Sequence, residues 1–367
     1  MKRLPVLLLI VLLFFTLGQV YVFADENKII YEIDPGTLTD SIDENSRELL
    51  PDDFGNIDIT GSVFTILRSV LGQITKGFVS SSLTLIGIVI TAAIIAKAAD
   101  ALSFKYSSQI LTLAQVLLIS LYAFGFIDRS LSMMTDYVEQ INSLMTSYGA
   151  VMAEIYLLGG NITTAAVSSA WLAFALEISR RISIGALVPI IKICFALTLA
   201  ASVSSESGFQ AISSLVRKLY VTSSVLFMTV ITVIMSFQTT LGASEDSVAM
   251  RGIKFAASNS IPIIGGLVSD SMRNLTAGIA YMKSCSGIVC VICMLAVSAA
   301  PVTYIFAAKF AMTLAAVVSD LLGVKNSKVI FDDCCVMLNY MLAMVVITDI
   351  YFIYFVTVFI KSVSALE

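Results

Sequence analysis

The sequence predicts an all-α polytopic membrane protein: a bundle of six to eight transmembrane helices with amphipathic helices and one element that is re-entrant or broken by proline and glycine. Of the 367 residues, 58% are hydrophobic and only 13% are charged, whereas soluble chains are about 25% charged. Several apolar runs approach the roughly 20 residues that cross a bilayer. A semi-polar stretch containing glycine and proline lies between two of these runs. These observations exclude an ordinary soluble enzyme.

The N-terminus is typical of a secretory signal sequence. Lys2 and Arg3 precede an apolar run from Leu4 to Phe23 that ends next to a small residue, Ala24. This pattern predicts a signal peptide over residues 1–24, cleaved after Ala24. The alternative is an uncleaved anchor, because the run is about long enough to span a bilayer. In both cases we expect the chain from Asp25 onward to face the outside.

Two segments of different character follow. Residues 25–60 form an acidic extracytoplasmic segment, with eleven Asp or Glu residues against Lys28 and Arg47. Such a segment is not a nucleic-acid-binding surface. Residues 61–80 are predicted to form an amphipathic helix that lies on the membrane surface or on a partner. Its apolar residues at helical spacing are Val63, Ile66, Leu67, Val70, Leu71, Ile74 and Phe78.

Residues 81–367 are predicted to form the polytopic helical membrane domain. Lys97 and Lys105 flank the first turn of this domain and place it in the cytoplasm. The run 288–322 is too long for one simple crossing and contains Pro301, which predicts either a kinked span or two short ones. The predicted spans are Leu83–Ala99, Ile110–Ile127, Ile162–Ser179, Ile182–Ala201, Leu219–Leu241, Ile288–Leu322 and Val336–Ile360.

The segment Ile162–Ser179 is the weakest of these spans, because it contains Glu177. Arg180 and Arg181 follow it directly and favour a separate crossing with a cytoplasmic end. If this segment crosses, the later stretch 247–270 is cytoplasmic. If it does not cross, that stretch faces outside.

A different pattern runs through residues 128–158, a polar helix with one apolar stripe. At about 1.5 Å per residue such a helix reaches roughly 40–45 Å, and its near-heptad stripe needs another surface to cover it. The stripe packs either against the chain's own bundle or against an oligomer or partner. It consists of Leu131, Met134, Tyr137, Val138, Ile141, Leu144, Met145, Tyr148, Val151, Met152, Ile155 and Tyr156.

The stretch "SVAMRGIKFAASNSIPIIGGLVSD", residues 247–270, is unusually polar for its place between two apolar segments. Arg251 and Lys254 are three residues apart and share a helix face. Pro262 ends or bends the chain, and Gly265 with Gly266 allow backbone geometries that other residues avoid. Such a backbone at membrane depth needs cover from protein or a water-filled cavity. The stretch is therefore either a re-entrant, pore-side element or an interfacial helix and loop.

Two ionisable residues lie well inside predicted spans, where a charge is costly and is usually paired or solvated. They are Lys192 and Asp349, and they could pair with each other. Ion coupling and a structural charge pair are both compatible with this placement. The full set of transport or pore candidates is Arg251, Lys254, Asn259, Pro262, Gly265, Gly266, Lys192 and Asp349.

No cofactor, metal site or enzymatic activity is predicted. The chain has six cysteines and no histidine. Cys290 and Cys293 have a metal-ligand spacing but lie in the apolar run "GIVCVICMLAV", which favours buried, unliganded thiols. The sequence also lacks a G-x-x-x-x-G-K-[ST] phosphate loop, so energy from nucleotide hydrolysis would have to come from another subunit.

The stretches "GASEDSVAMRGIKFAASNSIPIIGGLVSDSMRNLTAGIAYMKSCSGIVCVI" and "KFAMTLAAVVSDLLGVKNSKVIFDDCCVMLNYMLAMVVITDIYFIYFVTVFI" resemble the stage III sporulation protein AE family. The portion from Arg251 to Gly266 is the most specific. The resemblance implies a multi-pass membrane subunit of the channel-like secretion complex between mother cell and forespore, in the mother-cell membrane around the forespore. It also implies other stage III A proteins, including a separate ATPase, and stage II sporulation protein Q as partners.

An alternative function is an autonomous secondary transporter or exporter of a small solute. In that hypothesis the stretch 247–270 and either Lys192 or Asp349 line the path. The two hypotheses overlap, since a channel subunit can also conduct.

Overall fold

The computed structural model describes residues 36–50, 65–66, 68–69, 72, 82–95, 97, 105–158, 162–203, 211–227, 229–231, 233 and 265–361. These residues form helices and short turns without a strand, which confirms the all-α fold. The helices are α1 (Gly36–Thr39), α2 (Glu44–Arg47), α3 (Ser82–Ile95), α4 (Lys105–Leu158), α5 (Ile162–Ile182), α6 (Val188–Val203), α7 (Ala211–Ile231), α8 (Gly265–Leu321) and α9 (Lys325–Lys361).

Five helical segments of the described chain are long and apolar enough to cross a membrane. The polytopic membrane character is therefore confirmed, while the total of six to eight spans remains a prediction. The segments are Ala114–Leu158, Ala165–Ala201, Ala211–Ile231, Ser286–Leu321 and Ser327–Ile360, and the shorter apolar helix Ser82–Ile95 accompanies them.

Helix α4 is one continuous helix of 54 residues, about 80 Å long at 1.5 Å per residue. The polar helix predicted over residues 128–158 is present, and it is the second half of this longer helix, which continues from the preceding span without a break. All twelve residues of the apolar stripe on this part of α4 are buried in the main core. The stripe packs against the chain's own bundle, which is the first of the two predicted alternatives.

The outer face of α4 changes character at Asp128. Over residues 114–127, where the exposure of the side chains is described, the exposed residues are all apolar, among them Leu117, Leu121 and Phe124. From Asp128 to Glu154 the exposed residues are polar or charged, apart from Ala150. Because a helix of this length is far longer than the roughly 30 Å hydrocarbon core of a bilayer, part of α4 must lie outside lipid. The polar surface marks the second half as that part.

Helices α5 and α6 form one continuous rod, joined by a π-helical turn, Ser183–Leu187. The backbone at both ends of this turn stays in the right-handed helical region. The chain therefore does not reverse direction at Arg180 and Arg181, and the prediction of a separate crossing by residues 162–179 is wrong. Glu177 pairs with both arginines along the helix surface.

Helices α8 and α9 form a long antiparallel hairpin. Helix α8 continues through Pro301 as a single element of 57 residues, so the alternative of two short spans is wrong. The hairpin turn closes at Gly323, whose φ is 77°. The amides of Gly323 and Val324 donate to the carbonyls of Asp320 and Ser319, at 3.1 and 2.9 Å. This is the Schellman arrangement, in which a left-handed glycine ends the helix.

Part of the acidic segment packs on the bundle. Leu38 and Ile42 belong to the main core. Ile66, from the predicted amphipathic helix, is buried with Ile288 and Ile292 of α8 in a second apolar cluster. The described part of that helix thus contacts the chain's own bundle. The predicted signal peptide (residues 1–24) lies outside the described residues, and the division of the chain into domains stays a prediction.

Candidate functional site

A carboxyl group lies in the centre of the helix bundle. Asp349 of α9 is 2% exposed. The hydroxyl of Tyr137 on α4 donates a hydrogen bond of 2.6 Å to Asp349 Oδ1 and lies 3.4 Å from the carbonyl oxygen of Val345. A buried carboxyl without a partner is costly, so this hydroxyl is what makes the position tolerable.

A second hydrogen bond lies beside the first. Ser179 of α5 donates to the hydroxyl of Tyr351 on α9 at 2.9 Å. Asp349 and Tyr351 are two residues apart on α9, which directs their side chains to different sides of the helix. One side reaches α4 and the other reaches α5. We call Tyr137, Ser179, Asp349 and Tyr351 the polar layer; it joins three helices within the core.

The polar layer can do two things chemically. Its hydrogen bonds specify one sliding position of α4 and α5 on α9, because any shift along the axes leaves buried polar groups unpaired. It also places one ionisable group, the Asp349 carboxyl, where a proton could be bound inside the membrane domain. It holds no pair of nucleophile and base.

An ion-pair cluster lies toward the opposite end of α9. Arg217 of α7 contacts Asp333 Oδ1 at 2.8 Å, and Thr198 of α6 donates to Asp333 Oδ2 at 3.1 Å. Nearby, the ring of Tyr220 stacks on Tyr340 at 4.6 Å, and its hydroxyl donates to the Tyr340 carbonyl at 2.7 Å. These contacts fasten the peripheral helix α7 to α6 and α9.

Lys192 does not pair with Asp349. Lys192 is exposed on the outer face of α6, whereas Asp349 is buried and bonded to Tyr137. The suggested pairing of these two residues is excluded by geometry, because Lys192 faces outward from its helix and Asp349 faces the core.

The remaining predicted site residues cannot be placed together. Arg251, Lys254, Asn259 and Pro262 lie outside the described residues, so the re-entrant element stays a prediction. Gly265 and Gly266 are the first two residues of α8. Among the described glycines, the positive φ belongs to Gly323. The role of the glycine pair as transport or pore candidates stays a prediction.

The cysteine thiols are part of the apolar packing. Cys290 and Cys293 of α8 are fully buried, as are Cys194 and Cys334. This burial is what the apolar sequence context indicated. The described residues contain no group of three or more side chains that could hold a metal ion.

Sequence reasoning missed most of the polar layer and all of the ion-pair cluster. Tyr137 was assigned to an apolar stripe, and Ser179 and Tyr351 gave no signal of their own. Asp333 lies beside Cys334 and Cys335 near the start of α9, which is a weak sign of an acid close to the core. The contacts depend on how far each helix is shifted along its neighbour, and periodicity does not contain that information.

Five long apolar helices and many exposed apolar side chains among the described residues define this chain as a polytopic α-helical membrane protein. Comparison with protein families identifies it further: residues 46–363 match the family Stage III sporulation protein AE (spore_III_AE). The chain belongs to this family and is a sporulation protein of the stage III A type.

A curated relative from Bacillus subtilis (strain 168), named Stage III sporulation protein AE, is 20% identical over 189 residues. The match covers 52% of this chain and 47% of the relative, so it spans about half the length of that protein. No solved structure matches the chain.

Proposed function

We propose that the chain is a membrane subunit of a multiprotein channel or secretion complex that joins mother cell and forespore and is required for sporulation. Family membership over residues 46–363 is the observation that carries this proposal. The bundle adds a physical argument, because helices of 54 and 57 residues extend well beyond a bilayer of about 30 Å. A subunit of that shape presents protein surface outside the lipid for other subunits to bind.

The proposed location is the mother-cell membrane around the forespore. The proposed partners are other stage III A sporulation proteins, including a separate ATPase, and stage II sporulation protein Q. A separate ATPase fits the sequence, since the chain lacks the phosphate loop that nucleotide hydrolysis would need. We propose no catalytic activity and no cofactor for this subunit.

Purification from sporulating cells tests the assembly role. A tagged full-length chain is extracted in several mild detergents, and the co-purifying proteins are identified by mass spectrometry. An unrelated polytopic protein with the same tag serves as the control. Enrichment of stage III A proteins over that control is expected. Their absence in every detergent would count decisively against the proposal.

A second function is favoured by one observation, the buried carboxyl of Asp349. In this alternative the chain alone transports or exports a small solute, and Asp349 binds the coupling ion. Flux into proteoliposomes that contain only this chain, lost in Asp349→Asn and kept in Tyr354→Phe, would support it. A separate test addresses the stretch 247–270: unchanged sporulation after replacing Arg251 and Lys254 by Gln would argue against any pore role there.

A further inference from the structure

An apolar groove with one cation at its end lies between α3 and the turn of the α8–α9 hairpin. The groove has a volume of about 470 Å³ and is lined by Ile90, Ala93, Ile94, Lys97 and Leu322. Ile94 is 63% exposed and Leu322 is 37% exposed, so the groove opens to the surface. Four of the five lining side chains are hydrocarbon, and Lys97 supplies the charge.

The groove follows one face of α3. Ile90 and Ile94 are one turn apart, and Lys97, which is also helical, follows a turn later. Gly87 lies one turn before Ile90 on the same face, and nothing lies within 4 Å of a Cβ there. The open path from Gly87 to Lys97 is therefore about 15 Å long.

The Lys97 ammonium group is available to an anion. Lys97 is exposed and forms no ion pair with the part of the chain that the structure describes. Across the hairpin, Lys328 is already paired with Asp320 at 2.7 Å. Asp100, which lies outside the described residues, is the one acid between positions 96 and 105. Lys97 and Lys105 outnumber it, so this connection keeps a net positive charge.

Two helices add positive potential at the same end of the bundle. Helix α9 begins at Lys325, three positions after Leu322, and α4 begins at Lys105. Hydrogen bonds at two levels show that α4 and α9 run in the same direction. Both therefore direct the positive ends of their dipoles toward this end. Lys97 and Lys105 are predicted to be cytoplasmic, which places the groove at the cytoplasmic leaflet.

We propose that this groove binds an anionic phospholipid, with an acyl chain along Ile90 and Ile94 and the phosphate at Lys97. The lipid has the same order of groups as the groove, hydrocarbon followed by opposite charge. Basic pockets between membrane helices on the cytoplasmic side hold anionic headgroups in this way.

A second helix fits the groove less well than an acyl chain does. A helix is about 10–12 Å across with its side chains, and it would need roughly 800 Å³ over the two turns from Ile90 to Lys97. The groove offers about 470 Å³, which is within the usual range of sites for small ligands. The inference goes beyond the proposed channel role and needs only the membrane character of the chain.

Fluorescence quenching by brominated lipids tests the site in the full-length chain. Trp171→Phe removes the one native tryptophan, and Ile94→Trp places a reporter in the groove. The protein is reconstituted in phosphatidylcholine with increasing amounts of brominated phosphatidylglycerol or, separately, of brominated phosphatidylcholine. We expect phosphatidylglycerol to occupy the groove about fivefold more readily, which is the effect of one lysine on an anionic lipid.

Leu83→Trp is the matched control for the reporter. Leu83 is on the same helix and 68% exposed, but it lies outside the groove, so both lipids should quench there alike. With the reporter at Ile94, Lys97→Gln should remove the preference and Lys218→Gln should keep it. The same preference at both reporters, or its persistence in Lys97→Gln, would overturn the proposal. Absence of quenching at Ile94 by either lipid would also overturn it, because protein would then fill the groove.

Native mass spectrometry distinguishes a lipid from a free anion. The delipidated chain should bind phosphatidylglycerol about fivefold more tightly than Lys97→Gln does, and Asp100→Asn should bind it more tightly still. Excess inorganic phosphate should not displace the lipid, because the acyl chain holds it as well. Displacement by phosphate, or weaker binding in Asp100→Asn, would refute the site. Since no other sporulation protein is present, failure here leaves the assembly test above unaffected.

Discussion

Tyr137 and Asp349 are 212 positions apart in the chain, yet the Tyr137 hydroxyl donates a 2.6 Å hydrogen bond to the Asp349 carboxyl in the centre of the bundle. Both residues are buried at 2% exposure. The bond joins the apolar stripe of α4 to the most buried acid of α9. Removing one partner should therefore change the free energy of unfolding differently from removing both.

Tyr137→Phe should lower the free energy of unfolding by about 1–3 kcal/mol, because it leaves a buried carboxyl without its donor. The double variant Tyr137→Phe with Asp349→Leu should recover much of that loss, since replacing both partners by apolar groups is often neutral. Denaturant unfolding in detergent micelles measures both. Tyr354→Phe, on an exposed position of the same helix, is the matched control. A double variant less stable than the single would contradict this account.

Arg217 and Asp333 should hold α7 on the bundle. Their side chains are 26% and 24% exposed, so solvent screens this pair only partly, and Thr198 adds a hydrogen bond. Asp333→Asn should raise the rate at which proteases cleave near α7, and the exchange Arg217→Asp with Asp333→Arg should restore resistance in part. Lys218→Gln changes an exposed neighbour and should leave the rate unaltered. Equal rates in wild type and Asp333→Asn would show that other contacts hold α7.

Much of the fold could be predicted from the sequence, because it depends on local pattern. The stripe from Leu131 to Tyr156 correctly identified a face that packs on the bundle, and apolar length correctly identified membrane helices. Breaks between helices were predicted less well. The arginine pair Arg180 and Arg181 predicts the cytoplasmic end of a separate span, but two successive spans also need the chain to turn back between them. Here the helix continues through both residues without a turn.

The polar layer could not be predicted to the same degree. Asp349 stands out in the sequence because an acid within an apolar run is rare, but its partner is Tyr137 and not Lys192, with which the sequence suggests it could pair. Opposite charge is a poor guide to contact when the angular position of each residue on its helix is unknown. Tyr137 differs from its stripe neighbours only by a hydroxyl, whose role depends on what α9 places opposite it.

Close approach of α8 and α9 should make Gly287 intolerant of a side chain. A Cβ there would lie 2.6 Å from Ile360 Cδ1 and 3.3 Å from Val356 Cγ1. Gly287→Leu should destabilise the protein by about 1–3 kcal/mol through overpacking. Gly125→Leu is the matched control, because nothing lies within 4 Å of a Cβ at Gly125. Thermal unfolding in detergent should separate the two variants, and equal midpoints would refute the close approach.

The hairpin turn should depend on the left-handed backbone of Gly323, whose φ is 77°. Gly323→Val should cost about 1–2 kcal/mol, because a branched side chain is strained in that region. Gly323→Asn should cost less, since asparagine tolerates it. Nothing lies within 4 Å of a Cβ at Gly323, so crowding does not confound the comparison. Thermal unfolding of the two variants should rank valine below asparagine, and the reverse order would show that φ is not the cause.

The exposed residues of α4 change from apolar to polar at Asp128, and this change predicts where the helix leaves the lipid. Leu121 is 75% exposed within the apolar part of that surface, and Glu154 is exposed on the polar part. In membranes from a cysteine-free background, Glu154→Cys should react quickly with a membrane-impermeant maleimide. Leu121→Cys should stay unreactive until detergent removes the lipid, because a thiol in hydrocarbon meets neither water nor reagent.

The same two variants also test on which side of the membrane the polar half of α4 lies. The predicted signal peptide places the acidic segment outside, and Leu38 and Ile42 of that segment pack into the main core. Glu154→Cys should therefore react in intact cells as well as in opened membranes. Labelling only after the cells are opened would place the polar half of α4 in the cytoplasm and contradict the predicted signal peptide. Rapid labelling of both variants in intact membranes would show instead that water, and not lipid, covers the apolar part of α4.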